Sequence, residues 1–261
     1  MKIFPNLTAS FKSLFFVLIT TVLFTACNKE NTMSALKNLL ITDNITDADE
    51  AGIYETATGN TKLVLRPGPA DGLDAWVQWY EYDPTYADAN TAASFEIKVE
   101  SWTIGGGIIN LREFIKFAGL SQIPDTSHII EAKLFVYGLN SDDIYFPQGN
   151  SYYPGSPYNM YGENSCFVEK VVEDWNESTI TWNNQPLITQ KNRATLDAST
   201  SQWNYNTTID VTQLVSSMVK SSKNYGLRIS MTSEMPYHSI GFYSSDASNS
   251  KLRPKLVITY K

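Results

Sequence analysis

The sequence predicts an all-β protein: an antiparallel, jelly-roll-like β-sandwich with one short helix. Three observations carry this. Short apolar or alternating runs recur along residues 61–261, each bounded by Gly, Pro, Asn or Asp. A single stretch shows helical spacing, and no run alternates strand with helix in the manner of a parallel sheet.

The strands are read in chain order. TKLVLRP stops at Pro67, and DAWVQWY from Asp74 to Tyr80 is aromatic and β-prone. SFEIKV alternates, with Phe95, Ile97 and Val99 on one face. LREFIKF, from Leu111 to Phe117, is apolar on both faces, as a central strand requires. IIEAKLFVYG is expected to turn Ile130, Ala132, Leu134 and Val136 inward. CFVEKVV, GLRISM, IGFYSS and KLVITYK complete a set of about nine strands. Val211, Leu214, Val215, Met218 and Val219 form a helical stripe that Asp210 or Thr212 can cap. Gly105-Gly106-Gly107 has no helix after it and reads as a turn, not a phosphate cradle.

The N-terminus has a different chemistry. Lys2 and Lys12 precede an uncharged run from Leu14 to Ala26. A basic start, a short apolar stretch and small residues before a cut site describe a signal peptide. The run is too short to cross a hydrocarbon core of about 30 Å as a helix. Leu23-Phe24-Thr25-Ala26-Cys27 resembles the bacterial lipobox, with Phe24 where leucine usually stands. The resemblance implies a lipid thioether and an acylated amine, palmitate-type chains included, at Cys27. Asn28 follows the cysteine instead of an aspartate, so the expected address is the outer membrane, with cell-surface exposure possible through Lys29-Glu30. The domain reading is therefore a lipoprotein signal peptide over 1–26, a lipidated tether over 27–60 and the sandwich over 61–261. A short helix near Met33 to Leu40 is allowed within the tether, and Asp47, Asp49 and Gly52 make an incomplete calcium-loop pattern.

Composition narrows the partners. The formal charge is −7, and removal of Lys2 and Lys12 makes it more negative by two. An acidic chain without a basic block does not suit nucleic acid or anionic lipid. Lipidation of Cys27 would leave Cys166 without a disulfide partner, so it reads as a small buried hydrophobe in a monomeric domain.

Asn110-Leu111-Arg112-Glu113, Ile123-Pro124, the strand Ile130 to Tyr137 and the run Trp175 to Pro186, WNESTITWNNQP, together resemble the DNRLRE domain family. Asp210-Val211-Thr212, Asn224 to Leu227, Ser244-Ser245 and Arg253 to Leu256 continue the likeness in the same order, over roughly 74–261. The resemblance implies a carbohydrate-binding-module-like sandwich. The chain departs from it in a longer segment between Trp79 and Leu111 and in a loop from Ile144 to Asn164.

Candidate sites follow from the aromatics, which make up 13% of the chain and must be sorted into core and surface. Trp175 and Trp182 are expected in the core, and Arg112 with an acid or carbonyl partner. The loop carries Tyr145, Phe146, Tyr152, Tyr153, Tyr158 and Tyr161 among Gly, Pro, Ser and Asn. It is either a self-packed loop or a binding platform, since sugar C–H faces stack on rings while amides bond hydroxyls. Alternation puts Trp76, Gln78 and Tyr80 on one strand face, and Trp203 with Tyr205 is a third candidate. Calcium, common in such sandwiches, would fall near Asp71 and Asp74. His128 and His238 are the only histidines, and no hydrolase or zinc motif is present. The reading is a non-catalytic, lipid-anchored protein that binds polysaccharide. Its alternatives are an adhesive or structural protein with a protein partner and, third, a polysaccharide-cleaving enzyme using two carboxylates.

Overall fold

The computed structural model describes residues 50–142 and 149–261. The signal run, Cys27, the possible helix near Met33, Asp47, Asp49, Tyr145 and Phe146 lie outside them. Two antiparallel sheets form a sandwich. One sheet runs β1-β2-β12-β6-β9, from strands β1 Gly52–Glu55, β2 Thr61–Leu65, β6 Ile129–Val136, β9 Thr207–Asp210 and β12 Lys255–Tyr260. The other runs β11-β4-β5-β10-β7-β8, from β4 Glu96–Ile104, β5 Gly107–Phe117, β7 Cys166–Val171, β8 Ile188–Leu196, β10 Leu227–Met231 and β11 His238–Tyr243. β3, Gly72–Tyr80, pairs with β5 along its length. β4 and β10 share β5 between them, β4 on residues 107–111 and β10 on residues 113–115. The both-faces-apolar reading of LREFIKF is thus a strand hydrogen-bonded to three others.

The main core lies between the sheets. Leu63, Leu134, Leu256 and Ile258 meet Ile97, Val99, Ile115, Val168, Ile229, Ile240 and Phe242 there. Helix α1, Thr212–Ser221, adds Leu214, Val215, Met218 and Val219 to it, and each such burial stabilises by about 1.5–3 kcal/mol. Asp210 Oδ1 accepts from Thr212 N at 2.9 Å, and Ala132 N donates to Thr212 Oγ1 at 2.9 Å, which ties the helix start to β6. Ser222, at φ 52°, ends the helix in the left-handed region.

A second apolar cluster covers the other face of β3 and β5. Ala75, Val77 and Phe114 pack under Ile180, Trp175 and Trp182. Trp175 Nε1 donates to Tyr225 O at 2.7 Å. Arg112 lies over the Trp182 ring, 4.2 Å from its centroid, and donates through Nε and Nη2 to both oxygens of Glu234. Both tryptophans are half-buried against this cluster, and the arginine has its acid, as the sequence implied.

Two expectations change. Ile130 is exposed and Ile129 is buried, because the β12–β6 register shifts between Thr259 and Tyr260 and reverses the alternation at that end. The sandwich also starts before residue 61, since β1 pairs with β2 from Gly52.

Candidate functional site

Strand register assembles an aromatic layer on β3, β4 and β5. Gln78 and Tyr80 stand opposite Leu111 and Ile109. Glu100 and Trp102 stand opposite the same two residues from the other side. Opposed residues share a face, so Trp102, Ile109 and Tyr80 form a row across three strands. Two strand spacings set Tyr80 and Trp102 about 10 Å apart. Trp102, Ile109 and Leu111 are buried, and Trp76, Tyr80, Tyr86, Tyr158 and Tyr237 pack on them.

The long loop supplies one of those rings, Tyr158, and a buried polar spine holds it. Ser151 N donates to Ser239 O at 3.0 Å, and Ser239 N donates to Ser151 Oγ at 2.7 Å. Gly241 N donates to Asn150 Oδ1 at 3.2 Å. Asn164 Nδ2 reaches Ser239 O at 2.7 Å and Ser199 Oγ at 2.9 Å. Asn150, Ser151, Ser156 and Asn164 are all buried. These bonds pair backbone groups of Ser239 and Gly241 and so cover the free edge of β11.

So anchored, the loop lays rings on the sheet. Tyr158 meets Trp102 edge-on at 4.6 Å between centroids and stacks on Tyr237 at 6.3 Å. Tyr161 lies 4.4 Å from Tyr237, which itself meets Trp102 at 5.3 Å. Tyr237 takes φ 77°, a left-handed conformation that a bulky side chain seldom adopts. At the other end of the row Tyr80 contacts Tyr82 at 5.9 Å and Tyr86 at 5.2 Å. Tyr82 is 64% exposed and Tyr161 47%, so each end of the layer offers an accessible ring. Met160 and Met235 stand exposed beside the Tyr161 end in the chain.

Carboxyls lie beneath. Burial, and then the charge of Asp74, push the fully buried Glu113 well above the ordinary carboxylate range. Burial raises Glu100 too, against the opposing effect of Lys98 at 3.4 Å. Neither is an accessible acid.

The structure redistributes the sequence candidates. Tyr158 and Tyr161 belong to the layer. Trp76 belongs to it as a half-buried packing ring. Tyr152 and Tyr153 are half-buried and are not among the side chains packed on it. Trp203 sits against Gly149, where any Cβ would collide with its ring, so it braces loop backbone. Tyr205 packs into the main core. Asp71 Oδ1 accepts from Gly68 N at 2.7 Å within a turn. Buried Asp74 accepts from Ser245 N at 3.0 Å. Among the described residues no group of three or more His, Cys, Asp or Glu converges to hold a metal. The sequence reading missed Trp102, Tyr82, Tyr86 and Tyr237. Trp102 was open to alternation from Lys98 and Glu100; Tyr237 depends on a backbone conformation that sequence does not announce.

The family model of carbohydrate-binding module family 96 matches residues 72–260. The chain belongs to that family. No curated protein matches it. The family 96 match runs from the first residue of β3 to the last of β12, so it contains the whole aromatic layer and leaves β1 and β2 outside.

Proposed function

We propose that this chain is a non-catalytic, lipid-anchored exported protein that binds polysaccharide at the aromatic layer. The observation that carries the proposal is the layer that runs from Tyr82 and Tyr80 across Ile109 to Trp102, Tyr237 and Tyr161 inside a family 96 module. Such rings take the C–H faces of sugars, and Gln78 and Asn159 supply amides for hydroxyls. The DNRLRE resemblance supports the same class. Export and anchoring rest on the signal-peptide pattern and Cys27, with the outer membrane as the address. The non-catalytic reading rests on membership of a carbohydrate-binding module family.

Affinity electrophoresis of the full chain in non-ionic detergent tests the binding. Retardation on at least one polysaccharide, lost in Tyr161→Ala, is the expected outcome; no retardation across a broad panel refutes it. Metabolic labelling with a fatty-acid analogue tests the anchor, which predicts incorporation that Cys27→Ser abolishes. Release of reducing or unsaturated ends would make the chain an enzyme. A second reading, an adhesive protein with a protein partner, draws on Met160 and Met235, 80% and 66% exposed, because thioethers suit adaptable protein contacts.

A further inference from the structure

Two breaks in strand register open onto one groove. Val168 stands opposite Ala194 and Lys170 opposite Thr189, so β7 advances two residues while β8 advances five. Residues 190–193 are pushed out of the ladder as a long bulge. Within it Asn192 takes φ 59°, in the left-handed region. The second break is the β12–β6 shift between Thr259 and Tyr260, beside which Ile130 turns outward. Ile130, part of the bulge and the first turn of α1 line a groove of about 460 Å³, within the size range of small-ligand sites. β8 stands three strands beyond β5 in its sheet, about 14 Å by strand spacing, so the groove is separate from the aromatic layer. Its lining has a definite chemistry. Asn192, Arg193, Thr195 and Gln213 are exposed, and among the described residues their side chains make no hydrogen bond or ion pair. Arg193 is nonetheless held in place, its Cζ 3.6 Å from the centroid of the Phe167 ring, with its N–H groups still to be used. Two carboxylates share the groove: Glu131 pairs with Lys133 at 2.6 Å, and Asp210 accepts from Thr212 N at 2.9 Å. Ile130, 41% exposed, adds an apolar surface.

We propose that this groove is a second saccharide site, which takes a short stretch of the polymer that the aromatic layer binds. The proposal rests on the polysaccharide reading above and adds a site to it. Donors and acceptors lie side by side here, and a hydroxyl is the group that both donates and accepts. A phosphate would meet Glu131 and Asp210 as like charges. A hard cation would meet Arg193 and find two carboxylates where six or more oxygens are wanted. A sugar satisfies the whole set: its hydroxyls reach amides, guanidinium and carboxylates, and a C–H face lies on Ile130. Bulges re-aim side chains. This one brings Asn192 and Arg193 to the groove through a disfavoured backbone at a position that contributes nothing to the core. On a long chain two linked sites reinforce each other, so a weak groove still tightens the hold on polymer.

Hydrogen exchange read by mass spectrometry tests the groove on the full chain in non-ionic detergent. The probes are hexasaccharides of a β-glucan, a mannan, a xylan and polygalacturonate at about 5 mM, enough to fill a millimolar site. At least one should slow exchange in residues 188–196 and 210–215, in wild type and in Tyr161→Ala alike. Arg193→Ala combined with Gln213→Ala should remove that slowing and keep the slowing in residues 80–88 and 158–163. On gels containing the parent polymer, the same double variant should bind at least about five-fold more weakly than wild type. Asn192→Gly supplies a second measurement. Glycine suits the positive φ, so the melting temperature should equal or exceed that of wild type while protection of the groove weakens. Unchanged protection in both groove variants overturns the second site. Slowing confined to residues 80–88 and 158–163 also overturns it and leaves the aromatic layer standing. Slowing confined to the groove keeps the second site and overturns the layer. No slowing anywhere, with no retardation on the parent polymers, overturns both.

Discussion

Tyr237 supports the aromatic layer from a backbone conformation that favours glycine, and this makes an unusual order of stability. At φ 77° an L side chain is disfavoured by about 1–2 kcal/mol. Tyr237→Ala keeps that cost and removes the ring. Tyr237→Gly also removes the ring but relieves the backbone, against an entropic disadvantage of about 0.5–1 kcal/mol for glycine. Both variants lose contacts with Trp102, Tyr158 and Tyr161. At about 0.5–1.5 kcal/mol for each ring pair, both should fall roughly 2–4 kcal/mol below wild type. The glycine variant should nonetheless be more stable than the alanine variant by about 1 kcal/mol, the reverse of the usual ranking. In urea, with a slope near 2 kcal/mol/M, that difference moves the midpoint by about 0.5 M. An alanine midpoint at or above the glycine midpoint would show that the backbone at Tyr237 carries no strain, and the reasoning would fail.

Three further outcomes follow from the same geometry. Tyr161→Ala removes one accessible ring, so it should weaken polysaccharide binding at least about five-fold in titration calorimetry while costing about 1 kcal/mol or less of stability. Glu113 keeps its proton to higher pH in the fold than in the unfolded chain, so its contribution is complete below the ordinary value of 4.5 and is lost as pH rises toward its raised value; Glu113→Gln should therefore melt higher than wild type at pH 8, and the two should converge near pH 4. Arg112→Lys forfeits the fork onto Glu234 and the face of Trp182, and chemical denaturation should register a loss of about 1–2 kcal/mol.

Which parts of the fold were legible follows from where each strand sits. The nine strands read from sequence are all present, and each contributes buried apolar side chains. The three that were missed, β1, β8 and β9, are at sheet edges. β8 illustrates why: ITQKNRATL is exposed over most of its length and buries only Leu196 fully, so hydrogen bonding to β7 makes it a strand without an apolar alternation to betray it. Ile130 failed for a related reason. Period-two reasoning holds only while register is constant, and the shift at Thr259/Tyr260 breaks it. For the site, alternation was enough to place Trp76, Gln78 and Tyr80 together. It was not enough to bring Tyr237 and Trp102 to them, because Tyr237 arrives through a turn from a distant strand and Trp102 through a hairpin.

The loop shows why its two sequence readings were not true alternatives. A self-packed loop and a binding platform make competing demands only if the same side chains serve both. Here Asn150, Ser151, Ser156 and Asn164 are buried; Asn150, Ser151 and Asn164 bond across to Ser239, Gly241 and Ser199, while Tyr158 and Tyr161 lie on Trp102 and Tyr237. The polar spine bonds the backbone of Ser239 and Gly241 and closes the edge of β11. With that duty met by small polar residues, the tyrosines are free of it. Substitutions in the spine should therefore unfold the loop and lose stability and binding together, whereas substitutions at Tyr161 should separate them. Tyr158 and Tyr161 already pack on their neighbours, and a ring so placed loses little freedom when a sugar arrives.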